Sequence, residues 1–112
     1  MAGYFEIKRG ATGAYRFNLK AGNHETILSS ETYQSKAGAM GGIDSVKRNA
    51  GDGARFERRK AKDGSSYFVL IAANKEIIGK SEMYSAPASM EKGIASVQKN
   101  APDAKVVDKS DQ

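Results

Sequence analysis

Residues 17–33 read FNLKAGNHETILSSETY, and residues 68–84 read FVLIAANKEIIGKSEMY. The two stretches align without a gap at a spacing of 51 residues, sharing Phe17 with Phe68, Leu19 with Leu70, Asn23 with Asn74, Glu31 with Glu82 and Tyr33 with Tyr84. The match extends outward in both directions. Phe5-Glu6 falls on Phe56-Glu57, Gly13 on Gly64, Gly42-Ile43-x-Ser45-Val46 on Gly93-Ile94-x-Ser96-Val97, and Asn49-Ala50 on Asn100-Ala101. So long an ungapped self-match marks an internal duplication.

Each copy carries the same local grammar. A first strand, near residues 4–9 and 55–60, ends at Thr12-Gly13 or Asp63-Gly64, and Asp-Gly is a strong hairpin signal because both positions tolerate positive φ. The next stretch alternates, with Tyr15, Phe17 and Leu19 on one face and Arg16, Asn18 and Lys20 on the other. Period two with one polar face predicts an antiparallel sheet covered on one side. Asn23 and Asn74 read as left-handed turn residues before a third strand near residues 25–31 and 76–82. The period then changes: Ala39, Ile43, Val46 and Ala50, and again Met90, Ile94, Val97 and Ala101, make one apolar stripe on a helix. Ser35 suits the first N-cap and Pro87 the first turn of the second helix, with stops at Asn49 and Asn100. Gly42 and Gly93, each unfavourable mid-helix by about 1 kcal/mol, predict close approach to the sheet.

A strand-like run at residues 104–107 follows the second helix, as residues 54–57 follow the first. These elements predict a single α+β domain over residues 1–112. Its repeats span about residues 4–54 and 55–107, in one antiparallel sheet with both helices on one face, and residues 108–112 are expected to fray. The two repeats are related by a pseudo-twofold, and a monomer is expected.

The pattern Phe17-x-Leu19-x-Ala21-x-Asn23-x-Glu25-x-Ile27-x-x-Ser30-Glu31-x-Tyr33, followed by Gly42-Ile43-x-Ser45-Val46-x-x-Asn49-Ala50, resembles the YegP-like family of small bacterial proteins. Both copies match, so the resemblance covers nearly the whole chain and points to the duplicated subfamily. It implies one sheet of two three-strand-plus-helix units, with the strands after the helices exchanged between units. Where the family often has Asn-Gly, this chain has Asn23-His24 and Asn74-Lys75. The resemblance brings no activity, substrate or catalytic residue.

Composition bounds the function. The 112 residues are enough for a real core, at a size where roughly two thirds of the unfolded surface is buried. No apolar run approaches the ~20 residues of a membrane span, so no membrane association is expected. The start, Met1-Ala2-Gly3-Tyr4, lacks the pattern of a secretory signal. Cysteine is absent, which excludes disulfides and thiolate chemistry and fits a cytoplasmic setting. Lys and Arg number 18 against 13 Asp and Glu, a net charge of +5 that invites a polyanion yet also suits plain solubility.

No constellation specifies a reaction, so no enzyme, cofactor or metal site is expected. His24 stands alone and reads as an exposed turn residue. Glu31 and Glu82 could meet as an acid–base pair across the pseudo-twofold, but their Ser-Glu-x-Tyr setting reads first as structural. Two features differ between the copies and mark the candidate binding surface. One is the basic cluster Arg55, Arg58, Arg59, Lys60 and Lys62, which reads as a solvated strand edge or as phosphate contacts. The other is Tyr67, Val69 and Ile71, on the face that holds Arg16, Asn18 and Lys20 in the first copy. If helices cover only one side, these three form an exposed apolar patch for a protein partner; otherwise a loop or terminus covers them. The sequence therefore favours a non-enzymatic binding or assembly module, with a nucleic-acid-binding protein as the alternative.

Overall fold

The computed structural model describes residues 3–110. Two tight hairpins set its frame. Gly13 and Gly64 take φ of +85° and +87°, turning β1 (Tyr4–Arg9) into β2 (Tyr15–Lys20) and β4 (Phe56–Lys60) into β5 (Ser66–Ile71). The second turn of each repeat differs by one residue from its sequence reading. His24 and Lys75 take the positive φ, 70° and 69°, while the Asn23 and Asn74 side chains accept from the N–H groups of Glu25 and Glu76 at 3.2 and 3.1 Å. Asparagine there serves as a side-chain turn rather than as the left-handed residue.

Strands β3 (Thr26–Ser29) and β6 (Ile77–Lys80) stop short of the expected ranges. Ser30 and Ser81 intervene: their hydroxyls accept from the N–H groups of Phe17 and Phe68 at 2.9 and 3.0 Å, so a side chain takes a donor the ladder would use. The sheet order is β4-β5-β6-β3-β2-β1-β7, with β7 at Lys105–Asp108. The repeats join between β3 and β6, where Ser29 faces Lys80. These two are equivalent at the 51-residue spacing, so the pseudo-twofold passes between them.

The sheet is mixed rather than wholly antiparallel, because β7 lies parallel on β1. The three antiparallel steps from β6 through β3 and β2 leave β1 running opposite to β6, and β7 enters in that same direction. Strand exchange runs one way. Repeat two gives β7 to repeat one, whereas after α1 residues 50–55 hold only a short 3-10 turn, Gly53–Arg55, and lead straight into β4.

Both helices cover one face. α1 (Lys36–Asn49) packs on β2 and reaches β5 and β6 of the other repeat, and α2 (Pro87–Asn100) packs on β5 and reaches β3. Phe5, Phe17, Leu19, Phe68 and Leu70 meet Ile43, Val46, Ile94 and Val97 in one buried cluster that draws on both repeats. Each such side chain contributes roughly 1.5–3 kcal/mol on burial. Ser35 caps α1 through the Gly38 N–H, and Pro87 opens α2. The close approach at Gly42 and Gly93 is to a ring: a Cβ there would lie 2.7 Å from Cζ of Tyr33 or Tyr84. The expected fraying does not hold for the described part of the tail. Asp108 belongs to β7, the Lys109 N–H donates to the Ile7 carbonyl at 2.8 Å, and Ser110 is 4% exposed; the remaining two residues lie outside the described range.

Candidate functional site

The β4–β5 hairpin places all the singled-out residues at one margin of the sheet, on two faces and an edge. Alternation along β4 sets who points where. Ala61 donates its N–H to Ser65 at 2.8 Å, which directs the main chain of Ala61, Arg59 and Glu57 toward β5. The main-chain groups of Arg58 and Lys60 and the Phe56 carbonyl therefore point outward, while the Phe56 N–H closes the 3-10 turn on the Gly53 carbonyl, and among the described residues no strand pairs there. Arg58 lies on the helix side, bound by both carboxylate oxygens of Glu91 on α2, one of them at 2.8 Å from Nη2. Arg59 lies on the outer side, with Nε donating to Glu57 Oε1 at 2.7 Å. Arg55 sits in the preceding turn with Nε 3.5 Å from Asp52, while Lys60 and Lys62 are exposed. Beside the edge, Arg58, Arg59, Lys60, Ser66, Pro87 and Met90 line a shallow cavity of about 240 Å³.

Tyr67, Val69 and Ile71 occupy the face without helices, but they do not form a bare patch. Val69 is 2% exposed and lies outside the main core cluster. Its register neighbours are Glu57 and Lys80. Lys80 also reaches over the Tyr67 ring, with Nζ 5.1 Å from its centroid, and Tyr67 and Ile71 are half-buried. The cover is thus made of neighbouring charged side chains, whose aliphatic stems lie on apolar surface, rather than of a loop or terminus.

The same face of repeat one holds a feature that the sequence reading passed over. Glu6 is 3% exposed and ringed by Lys109 at 3.1 Å, Lys8 at 3.3 Å and Lys20 at 3.8 Å. Burial alone would raise its carboxyl; the lysines outweigh that and hold it below the ordinary range. The shared Phe-Glu pair, Phe5-Glu6 and Phe56-Glu57, was the available signal, yet only the first glutamate is buried, because only β1 carries β7 and Lys109 beside it.

The remaining candidates gather no chemistry. His24 receives a bond between its Nδ1 and the Tyr4 hydroxyl at 2.9 Å, and among the described residues no group of three His, Cys, Asp or Glu is placed to hold a metal. Glu31 and Glu82 are both exposed, and Glu82 lines a cleft with Glu25 of the other repeat. Tyr33 and Tyr84 are pushed up by burial and by Glu31 and Glu82 respectively, which keeps both phenols protonated. Among the described residues no helix is long and apolar enough to cross a membrane.

Residues 11–57 and 61–108 each match the domain of unknown function DUF1508. A UPF0339 protein of Bordetella pertussis is 54% identical over 110 residues, covering 98% of both chains. The UPF0339 protein YegP of Shigella flexneri is 50% identical over 108 residues, covering 96% of this chain and 98% of its own. The solution NMR structure of YegP from Escherichia coli, a protein of unknown function, superposes with a TM-score of 0.94 at 47% identity, covering 100% of this chain and 97% of that one. A UPF0339 protein of Shewanella oneidensis superposes at 0.93 with 43% identity, covering 100% and 95%.

Proposed function

For a chain that belongs to the UPF0339/YegP family with its DUF1508 unit present twice, we propose a role as a non-enzymatic binding module of the bacterial cytoplasm, working through the β4–β5 margin. The observation that carries this reading is the divergence of the repeats at that margin alone of the sheet's two ends. Where repeat one has buried Ile7 and exposed Met40, repeat two has the exposed pair Arg58 and Glu91 at the equivalent positions, with Arg58 on a terminal strand. Contact falls to Arg58, Lys60 and Lys62 along the edge, with Arg55, Arg59 and Tyr67 toward the outer face; Val69 and Ile71 continue that face along β5. Main-chain groups on an unpaired strand favour a protein partner through strand addition.

A nucleic-acid reading draws on one specific observation: Tyr67 lies half-exposed between Lys80 and Arg59, the arrangement of a stacking platform. It is weaker because the cations divide between the two faces of β4, Arg58 and Lys60 on one and Arg59 on the other, and do not line one groove. The test is crosslinked capture from bacterial lysate by the wild type, by Arg58→Gln/Lys60→Glu on β4, and by Lys105→Glu on the opposite edge. The reading expects capture to fail only with the β4 variant. Equal capture by all three would reject it, and steeply salt-dependent binding of single-stranded RNA would favour the alternative.

A further inference from the structure

Resting on that reading, we propose that the outer edge of β4 is the vacant counterpart of the seat that β7 fills on β1, and that it takes an extended acidic peptide running parallel to β4. The filled seat shows the geometry. β7 lies on β1 with Tyr4, Phe5, Glu6 and Ile7 opposite Lys105, Val106, Val107 and Asp108. The Lys109 N–H donates to the Ile7 carbonyl, so the strand is bonded through the outward main chain of β1. Moving 51 residues along, no strand among the described residues lies opposite Arg55, Phe56, Glu57 and Arg58; Arg58 presents both of the outward groups that Ile7 does, and Phe56 its carbonyl, its N–H being taken by the Gly53 carbonyl. The vacancy follows from the tandem fusion. The segment after α1 would have to lie on β4 if it copied β7, but residues 50–55 are already committed to entering β4.

Side chains around the seat define the occupant. Val106, opposite Phe5, packs against the core, so the residue opposite Phe56 should be apolar. Asp108, opposite Ile7, is held by Lys36 Nζ at 2.9 Å. In repeat two the cations stand on the strand itself: Arg58 and Lys60 on the helix side and Arg59 on the outer side, with Glu57 the one acidic residue of β4. An incoming strand therefore meets positive charge on both of its faces from its fourth residue onward. The Arg58–Glu91 pair is about half-exposed on both sides, so trading Glu91 for an incoming carboxylate costs little. A second copy fits poorly, because β4 laid against β4 sets arginine and lysine against one another.

The experiment titrates the 15N-labelled full chain with the blocked peptide Ac-Glu-Val-Thr-Asp-Glu-Asp-NH2, whose residues are ordered to face positions 55 to 60. Expected are saturable shifts at the amides of Arg58 and Lys60, none at Phe5 or Ile7, and binding about tenfold weaker to Arg58→Gln/Lys60→Glu. N-methylation of the alternate peptide amides that face β4 should abolish binding. The proposal is overturned by equal affinity of the N-methylated peptide, by equal affinity of a lysine-substituted peptide, or by no saturable shift at millimolar peptide. It is also overturned if the free protein pairs through β4 as concentration rises, or if oligothymidine shifts the same amides more strongly. Capture that depends on the β4 edge, together with failure of the peptide, would remove this occupant while leaving the binding-module reading in place.

Discussion

Gly79→Ala adds one methyl group at the seam between the repeats, and the structure says what it meets. Leu28 and Gly79 are equivalent residues flanking the Ser29–Lys80 pair on the pseudo-twofold. One leucine fills the space of both: a Cβ at position 79 would lie 2.6 Å from Leu28 Cδ2 and 2.7 Å from its Cγ. Ordinary carbon contacts are about 3.5–4.0 Å, so the overlap is roughly 1 Å. Leu28 is fully buried, with no solvent to swing into. Overpacking of this kind costs about 1–3 kcal/mol, and replacing a strand glycine returns about 0.5–1 kcal/mol. The net expectation is a loss of about 1–2 kcal/mol, or about 5–10 °C in Tm for a chain of this size. Urea and thermal unfolding followed by circular dichroism measure it. Leu28→Ala alone should cost about 2–5 kcal/mol. In the double variant the two costs should be less than additive by about 1 kcal/mol, since the new methyl enters the space the leucine left. A neutral Gly79→Ala, or strict additivity, would refute the shared-space reasoning.

Adjacent glycines of α1 should respond oppositely to alanine. Gly41 has open space around a new Cβ, so Gly41→Ala should stabilise by about 1 kcal/mol, whereas Gly42→Ala meets Tyr33 Cζ at 2.7 Å and Phe17 Cε2 at 2.9 Å and should destabilise by about 1–2 kcal/mol; chemical denaturation separates them. Lys75→Gly should raise stability by about 0.5–1 kcal/mol, because relief of left-handed strain at φ 69° exceeds glycine's entropic penalty; an unchanged midpoint would count against it. Asp108 is depressed from 3.8 to about 2, chiefly by the Ser110 hydroxyl and then by Lys36. Its contribution to holding β7 is thus complete above the ordinary aspartate range and is lost as pH falls through about 2. An NMR titration of the Ser110 amide should show that low midpoint, and a midpoint near 3.8 would be inconsistent with it.

The elements were legible because their signals are local and stated twice. The Asp63-Gly64 turn, the alternation of Tyr15, Phe17 and Leu19, and the Ala39-Ile43-Val46-Ala50 stripe each fix structure within a few residues. What resisted reading is long-range. The parallel seating of β7 depends on strand directions summed across the sheet, which no window of sequence contains. Val69 looked exposable because its own strand says nothing of Glu57 and Lys80 beside it in register. Glu6 hid for the opposite reason: it reads as a solvated strand residue until Lys109, from the far end of the sequence, closes over it. For the candidate surface, the sequence supplied the residues but not their separation into helix side, edge and outer face.

The claim on which the functional reading turns is that β4 ends the sheet with an unpaired outer edge where its counterpart β1 is covered. Amide hydrogen exchange on the free protein compares the two directly. Phe5 and Ile7 should be strongly protected beneath β7, while Arg58 and Lys60 exchange near the rate of open chain even though Glu57 and Arg59, bonded to β5, are slow. Protection of Arg58 and Lys60 equal to that of Phe5 and Ile7 would mean the edge is already occupied, and the vacant seat would not exist.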